Sequence, residues 1–89
     1  MGEVALTFRI MPETPEVNLD ELAETIKGNL PEGARWNDHE MKPFAFGLKA
    51  IVAQIIVEDT EGGPDIVEAA LNKVANVQGV ELVDMGRLM

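Results

Sequence analysis

Residues 42–58 read KPFAFGLKAIVAQIIVE, and this stretch decides the fold. From Ala50 onward the residues are apolar and mostly β-branched, and Gln54 is the one interruption. Such a run is typical of a strand covered on both faces, so the sequence predicts a central strand over 48–58. The segment Phe44–Gly47 pairs two aromatic rings with a neighbouring Pro and a Gly, which favours a turn or bulge. We expect at least one of these rings to face a partner.

The segments on either side of the central strand predict a hairpin and a second helix. Residues 34–45 are polar, alternate weakly around Trp36 and contain a Pro near their end, which indicates an edge strand paired with the central one. Beyond the acidic turn that follows the central strand, Pro64 predicts the start of a helix, and Gly79 predicts its end before a short last strand. The apolar residues of this helix recur at helical spacing: Val67, Ala70, Leu71, Val74 and Val77.

The first part of the chain predicts one more strand and one more helix. Val4, Leu6, Phe8 and Ile10 alternate with other residues and so predict a strand with one apolar face. Asn18, followed three residues later by an acid, resembles a capping box, and the apolar spacing behind it predicts a helix over about 19–29.

The predicted order is therefore β-α-β-β-α-β. Two amphipathic helices and four strands favour an α+β, ferredoxin-like two-layer sandwich, in which both helices cover one face of an antiparallel sheet. Right-handed crossovers would place the first and third strands in the middle. The opposite face should then be uncovered and lined by Ala5, Thr7 and Arg9. At 89 residues the chain has room for a single domain, 1–89.

Composition restricts the function further. The chain carries 16 acidic against 7 basic residues, a net charge of −9 without a basic run, so we expect a protein partner with a basic face rather than nucleic acid. It contains no Cys, and its one histidine, His39, lies between two acids. Three adjacent residues on a strand cannot all point to one metal ion. We therefore expect no metal site, no cofactor and no nucleophilic catalysis. Neither a signal peptide nor a membrane span is predicted, so we expect a soluble, cytoplasmic protein.

The whole chain resembles elongation factor 1-beta in its archaeal form. The resemblance is most specific in Trp36, in the segment from Lys42 through Pro43 and Gly47 to Lys49, and in the acidic segment 57–59 with the Gly-rich turn behind it. That family is the guanine-nucleotide exchange factor of elongation factor 1-alpha, and it shares the ferredoxin-like fold. The resemblance implies a translation factor that is not an enzyme, and it gives no basis for further partner subunits. We expect a monomer.

The resemblance also implies a mechanism. A member of this family binds the GTPase, disturbs its magnesium and phosphate contacts, and so speeds GDP release. Phe46 matches an aromatic that inserts into a pocket of the GTPase, with Lys42, Pro43, Gly47 and Lys49 around it. Arg87 matches most nearly a C-terminal Lys that reaches toward the magnesium site; here Leu88 and a further residue follow it, where the family usually has one residue. A cation placed there would compete with Mg²⁺ for its ligands.

A different function class remains open, namely an RNA-binding or small-ligand regulatory domain of the same fold. Lys42-Pro43-Phe44-Ala45-Phe46 resembles the start of the aromatic octamer of RNA-recognition motifs. In that family, however, the octamer forms the third strand itself, whereas here about a dozen strand residues follow Phe46. The one candidate for a second stacking ring is Phe8, whose alternation predicts a core position.

Overall fold

A computed structural model describes residues 2–43, 47–58 and 63–88, with the backbone alone at residues 87 and 88. The elements occur in the predicted order, β-α-β-β-α-β. They are β1 (Glu3–Pro12), α1 (Leu19–Gly28), β2 (Arg35–Pro43), β3 (Lys49–Glu58), α2 (Gly63–Asn72) and β4 (Val77–Leu88).

The four strands form one antiparallel sheet in the order β2-β3-β1-β4. β1 and β3 are therefore central, and β2 and β4 are the edges, as the sequence predicts. The buried side chains of both helices join one face of the sheet in a single core, so the fold is the ferredoxin-like α+β sandwich. The sheet brings the start of β1 beside the end of β4, and that proximity matters for the site.

The core follows the predicted periodicities. Alternate residues of β1 and of β3 face the helices, and the largest fully buried side chains among them include Phe8 and Ile55. From the helices come Leu22, Ile26, Val67 and Leu71, all buried. Asn18 caps α1 as predicted, because its Oδ1 accepts hydrogen bonds from the backbone N–H groups of Asp20 (3.0 Å) and Glu21 (3.2 Å).

Two predictions about the last third of the chain are wrong. α2 ends at Asn72 rather than near Gly79, and β4 is a strand of 12 residues rather than a short one. The chain leaves the helix through a turn in which Asn76 adopts a left-handed φ of 71°, a conformation that Asn tolerates better than most residues. The reason for the error is that Val74 and Val77 continue the helical spacing although Val77 already belongs to the strand.

The sheet face opposite the helices is less open than predicted. Thr7 and Arg9 are half-buried there, but Ala5 and its β3 neighbour Ile56 are buried. On this face an ion pair also joins the two strands that flank β3: Arg35 Nη1 on β2 lies 3.0 Å from Glu3 Oε2 on β1. Because β3 lies between them, this contact has to cross over β3, next to Ile56.

Candidate partner-binding site

Three of the predicted site residues meet at one end of the sheet. Pro43, the last residue of β2, pairs with Lys49, the first residue of β3, and Lys42 precedes them on β2. All three side chains are exposed. The ammonium of Lys42 lies 3.4 Å from Glu40 Oε2, so part of its charge is balanced by a carboxylate on the same strand. This end, which we call the hinge end, presents two cations on an otherwise acidic protein.

Gly47 completes the described part of the hinge end. It lies in a turn with φ of 82°, in the left-handed region where a Cβ is costly. Nothing lies within 4 Å of the place where a Cβ would stand, so the conformation rather than crowding explains a glycine here. A tight turn before β3 agrees with the predicted bend. The two rings of Phe44 and Phe46, with Ala45 between them, lie outside the described residues.

The other two predicted site residues lie at the opposite end of the sheet. Arg87 pairs with Val4, and Leu88 pairs with Glu3, at the start of β1. Val4 in turn pairs with Val57 on β3, which is eight residues from Lys49. At about 3.3 Å per residue, the hinge end and Arg87 are therefore separated by about 26 Å along the strands. The structure groups Lys42, Pro43, Gly47 and Lys49 together, but not with Arg87 and Leu88.

A β-bulge on β2 determines which face of the sheet Trp36 lies on. The sequence predicts a strand at Trp36 but not the face on which its side chain lies. The register shifts between Trp36 and Asp38, so that Trp36 and His39 both lie opposite core-facing residues of β3 although they are three positions apart. The indole Nε1–H donates to His39 Nδ1 at 3.2 Å, and Lys27 Nζ lies 5.6 Å from the ring centre. Trp36 is thus half-buried against the core, with His39 hydrogen-bonded to its indole and Lys27 above its ring.

Other kinds of site find little support in the described ranges. Within them no three His, Asp or Glu residues are grouped to hold a metal ion, and neither helix is long and apolar enough to cross a bilayer. Phe8 is fully buried under the helices, so it cannot stack on a nucleic-acid base.

Sequence reasoning missed one surface. Leu82, Val83 and Met85 on β4 are exposed, large and apolar, whereas the sequence suggested only an unremarkable edge strand. Period-two alternation could not identify them, because Val83 occupies a bulge that interrupts the alternation.

Comparison with known proteins identifies the family. The EF-1 guanine nucleotide exchange domain matches residues 5–88. Proteins named elongation factor 1-beta align along their whole length: one from Haloarcula marismortui is 46% identical and one from Methanobrevibacter smithii is 45% identical, and these alignments cover 99% and 100% of this chain and 100% of each relative. One from Methanosarcina barkeri is 46% identical, over 99% of this chain and 100% of the relative. Because the family match spans nearly the whole sequence and the archaeal relatives align end to end, this chain belongs to the EF-1 guanine nucleotide exchange domain family.

Proposed function

We propose that this protein binds elongation factor 1-alpha and promotes the exchange of GDP for GTP on it. The observation that carries the proposal is the end-to-end alignment with proteins named elongation factor 1-beta, together with the exchange-domain match over 5–88. In this role the protein breaks no covalent bond. Its binding energy is used to favour the state of the GTPase that holds the nucleotide weakly, and the role belongs to the cytoplasm, where translation takes place.

At the hinge end, Phe46 is the proposed anchor. An aromatic side chain that fills a partner's pocket contributes a large share of binding energy. Gly47 supports this proposal because its left-handed φ makes a tight turn directly before β3, a conformation that glycine adopts without strain. The exposed Lys42 and Lys49 would form the polar rim of the contact, and the exposed Pro43 would lie between the rim and the anchor.

At the opposite end, Arg87 is the proposed group that acts on the nucleotide site. A guanidinium delivered near the bound Mg²⁺ would compete for the phosphate and carboxylate oxygens that hold the ion. Arg87 is carried by a strand rather than by a free tail, since its backbone pairs with Val4. Leu88, paired with Glu3, would make the neighbouring contact. A strand is a rigid support, which suits a group that must be placed accurately.

The test is whether the protein accelerates the release of labelled GDP from elongation factor 1-alpha. RNA binding is the alternative, so labelled RNA at low salt serves as the counter-test. We expect faster GDP release and no RNA association, because the net charge of −9 opposes a polyanion. Sub-micromolar RNA affinity without any effect on GDP release would reverse the assignment.

A further inference from the structure

The exposed apolar surface of this protein is concentrated on one edge strand. Of the four large hydrophobic side chains that are exposed in the described ranges, three lie on β4: Leu82 (38%), Val83 (45%) and Met85 (58%). The fourth, Ile66 on α2, is exposed to 57%. We call Leu82, Val83 and Met85 together the β4 apolar edge. Single exposed apolar residues are ordinary, but three within four positions on one strand are typical of an interaction site.

The register explains why these side chains remain uncovered. Leu82 lies opposite Phe8 and Met85 opposite Leu6, two fully buried residues of the core face of β1. Leu82 and Met85 are therefore on the helix side of the sheet, yet on its outermost strand, where the two helices leave them exposed. Val83 lies between them as the extra residue of a bulge and has no partner on β1.

The opposite edge strand shows the usual protection of a sheet edge. The exposed residues of β2 include Asp38, Glu40, Lys42 and Pro43, which are charged or cannot donate a backbone hydrogen bond. Its half-buried residues Trp36 and Met41 pack against the core instead. The two edges of the sheet thus differ in how well their apolar residues on the helix side are covered: those of β2 are half-buried, whereas Leu82 and Met85 of β4 are exposed.

The net charge of the protein indicates the kind of partner. Exposed Glu81 and Asp84 lie opposite Arg9 and Thr7, on the sheet face away from Leu82 and Met85, and the carboxylate of Glu81 pairs with the guanidinium of Arg9. A surface that covers the β4 apolar edge would therefore be apolar at its centre, and the net charge of −9 favours a partner that is basic around it. A second copy of this chain fits poorly, because each copy carries the same net charge of −9. The bulge at Val83 also interrupts the even spacing that a continuous strand-to-strand ladder needs. Contact through side chains is therefore favoured.

We infer that the β4 apolar edge is a contact surface for the same GTPase, continuous with the end of the strand at Arg87. This inference rests on the proposed function. Met85 lies two residues before Arg87 on the same strand, about 7 Å along it, so a partner surface of ordinary size that covers Arg87 would extend over Met85. The β4 apolar edge contributes to the affinity for the GTPase and does not act on its magnesium site.

The structure offers a matched pair of variants for the test. Met85→Gln and Ile66→Gln each replace a large apolar side chain of nearly equal exposure, 58% and 57%, by the same polar one. Val83→Thr is a second variant, which keeps the β-branched shape that a strand favours. The measurement is the rate of labelled GDP release as a function of the concentration of each variant, with a thermal melt of each variant alone.

We expect Met85→Gln and Val83→Thr to melt like the parent and to raise the concentration for half-maximal exchange by about fivefold or more, because apolar contact area is lost at the interface. The maximal rate should stay unchanged, and Ile66→Gln should behave as the parent. If the parent accelerates GDP release and both β4 variants match it at every concentration, the inference fails while the proposed function stands. If the parent has no effect, both fail. If sedimentation shows a dimer of the parent that Met85→Gln abolishes without changing exchange, the surface joins two copies and the inference is overturned.

Discussion

Lys49 and Arg87 lie at opposite ends of the sheet, about 26 Å apart along the strand direction, because Lys49 begins β3 while Arg87 pairs through Val4 with Val57. A protein interface of standard size covers about 800 Å² on each partner, a patch about 30 Å across. Both groups can therefore belong to one contact only if the partner lies along the length of the sheet. In that arrangement the proposed binding at the hinge end and the proposed action of Arg87 would be separate tasks.

The first prediction concerns the hinge ring. Phe46→Ala should leave the melting temperature of the free protein nearly unchanged and should weaken binding to the GTPase by more than tenfold, since a buried aromatic anchor contributes about 2 kcal/mol or more at an interface. Phe44→Ala is the control, and we expect it to lower the melting temperature instead. Titration of exchange rate and a thermal melt of each variant distinguish the two rings. If Phe46→Ala melted early while Phe44→Ala were stable and inactive, the roles would be exchanged.

The second prediction concerns the cation at the other end. Arg87→Gln should lower the maximal rate of GDP release and change the half-saturating concentration little, because the proposed role of Arg87 is to displace Mg²⁺ rather than to hold the partner. Arg87→Lys should keep most of the rate, since it keeps the charge. Removing Mg²⁺ with a chelator should shrink the difference between the parent and Arg87→Gln. A variant that loses affinity but not maximal rate would assign Arg87 to binding alone.

The third prediction compares two glycines, one with a left-handed φ and one at the end of a helix. Gly47→Ala should destabilise the fold by about 1 kcal/mol, because its φ of 82° is unfavourable for a residue with a Cβ. Gly28→Ala should stabilise it by about 0.5–1 kcal/mol, because Gly28 is the last residue of α1 and has nothing within 4 Å of an added Cβ. Denaturant unfolding of both variants measures the two shifts. Equal effects of the same sign would mean that the turn at Gly47 is not constrained.

The fourth prediction tests the core with a matched pair of isoleucines. Ile55→Ala should cost about 2–5 kcal/mol, since Ile55 is fully buried between α1, α2 and the sheet. Ile66→Ala should be nearly neutral, because Ile66 is exposed and Ala favours a helix. Thermal melts compare the two. A melt of Ile55→Ala that coincided with the parent's would contradict the central position of β3.

Much of this fold follows from local patterns. The alternation around Phe8 and the long apolar run around Ile55 identify the two central strands, and Asn18 marks the start of α1. The end of α2 could not be found in this way, because Val77 fits a helical and a strand pattern equally well. The left-handed turn at Asn76 decides between them, and Asn permits that conformation without requiring it.

The site was less predictable than the fold. The residues of the hinge end are neighbours in sequence, so their grouping could be foreseen. The distance between that end and Arg87 depends on the register of three strands, which no local pattern contains. The ion pair between Arg35 and Glu3 likewise joins residues that are 32 positions apart in sequence. The β4 apolar edge was missed because a bulge at Val83 interrupts the alternation.

The most direct test of the central claim is the rate of labelled GDP release from elongation factor 1-alpha, followed by stopped flow with excess unlabelled nucleotide while the concentration of this protein is raised. We predict that the rate increases with concentration and reaches a plateau, as expected for a factor that forms a complex with the GTPase before the nucleotide leaves. A rate that stays at its spontaneous value at every concentration of the folded protein would contradict the claim.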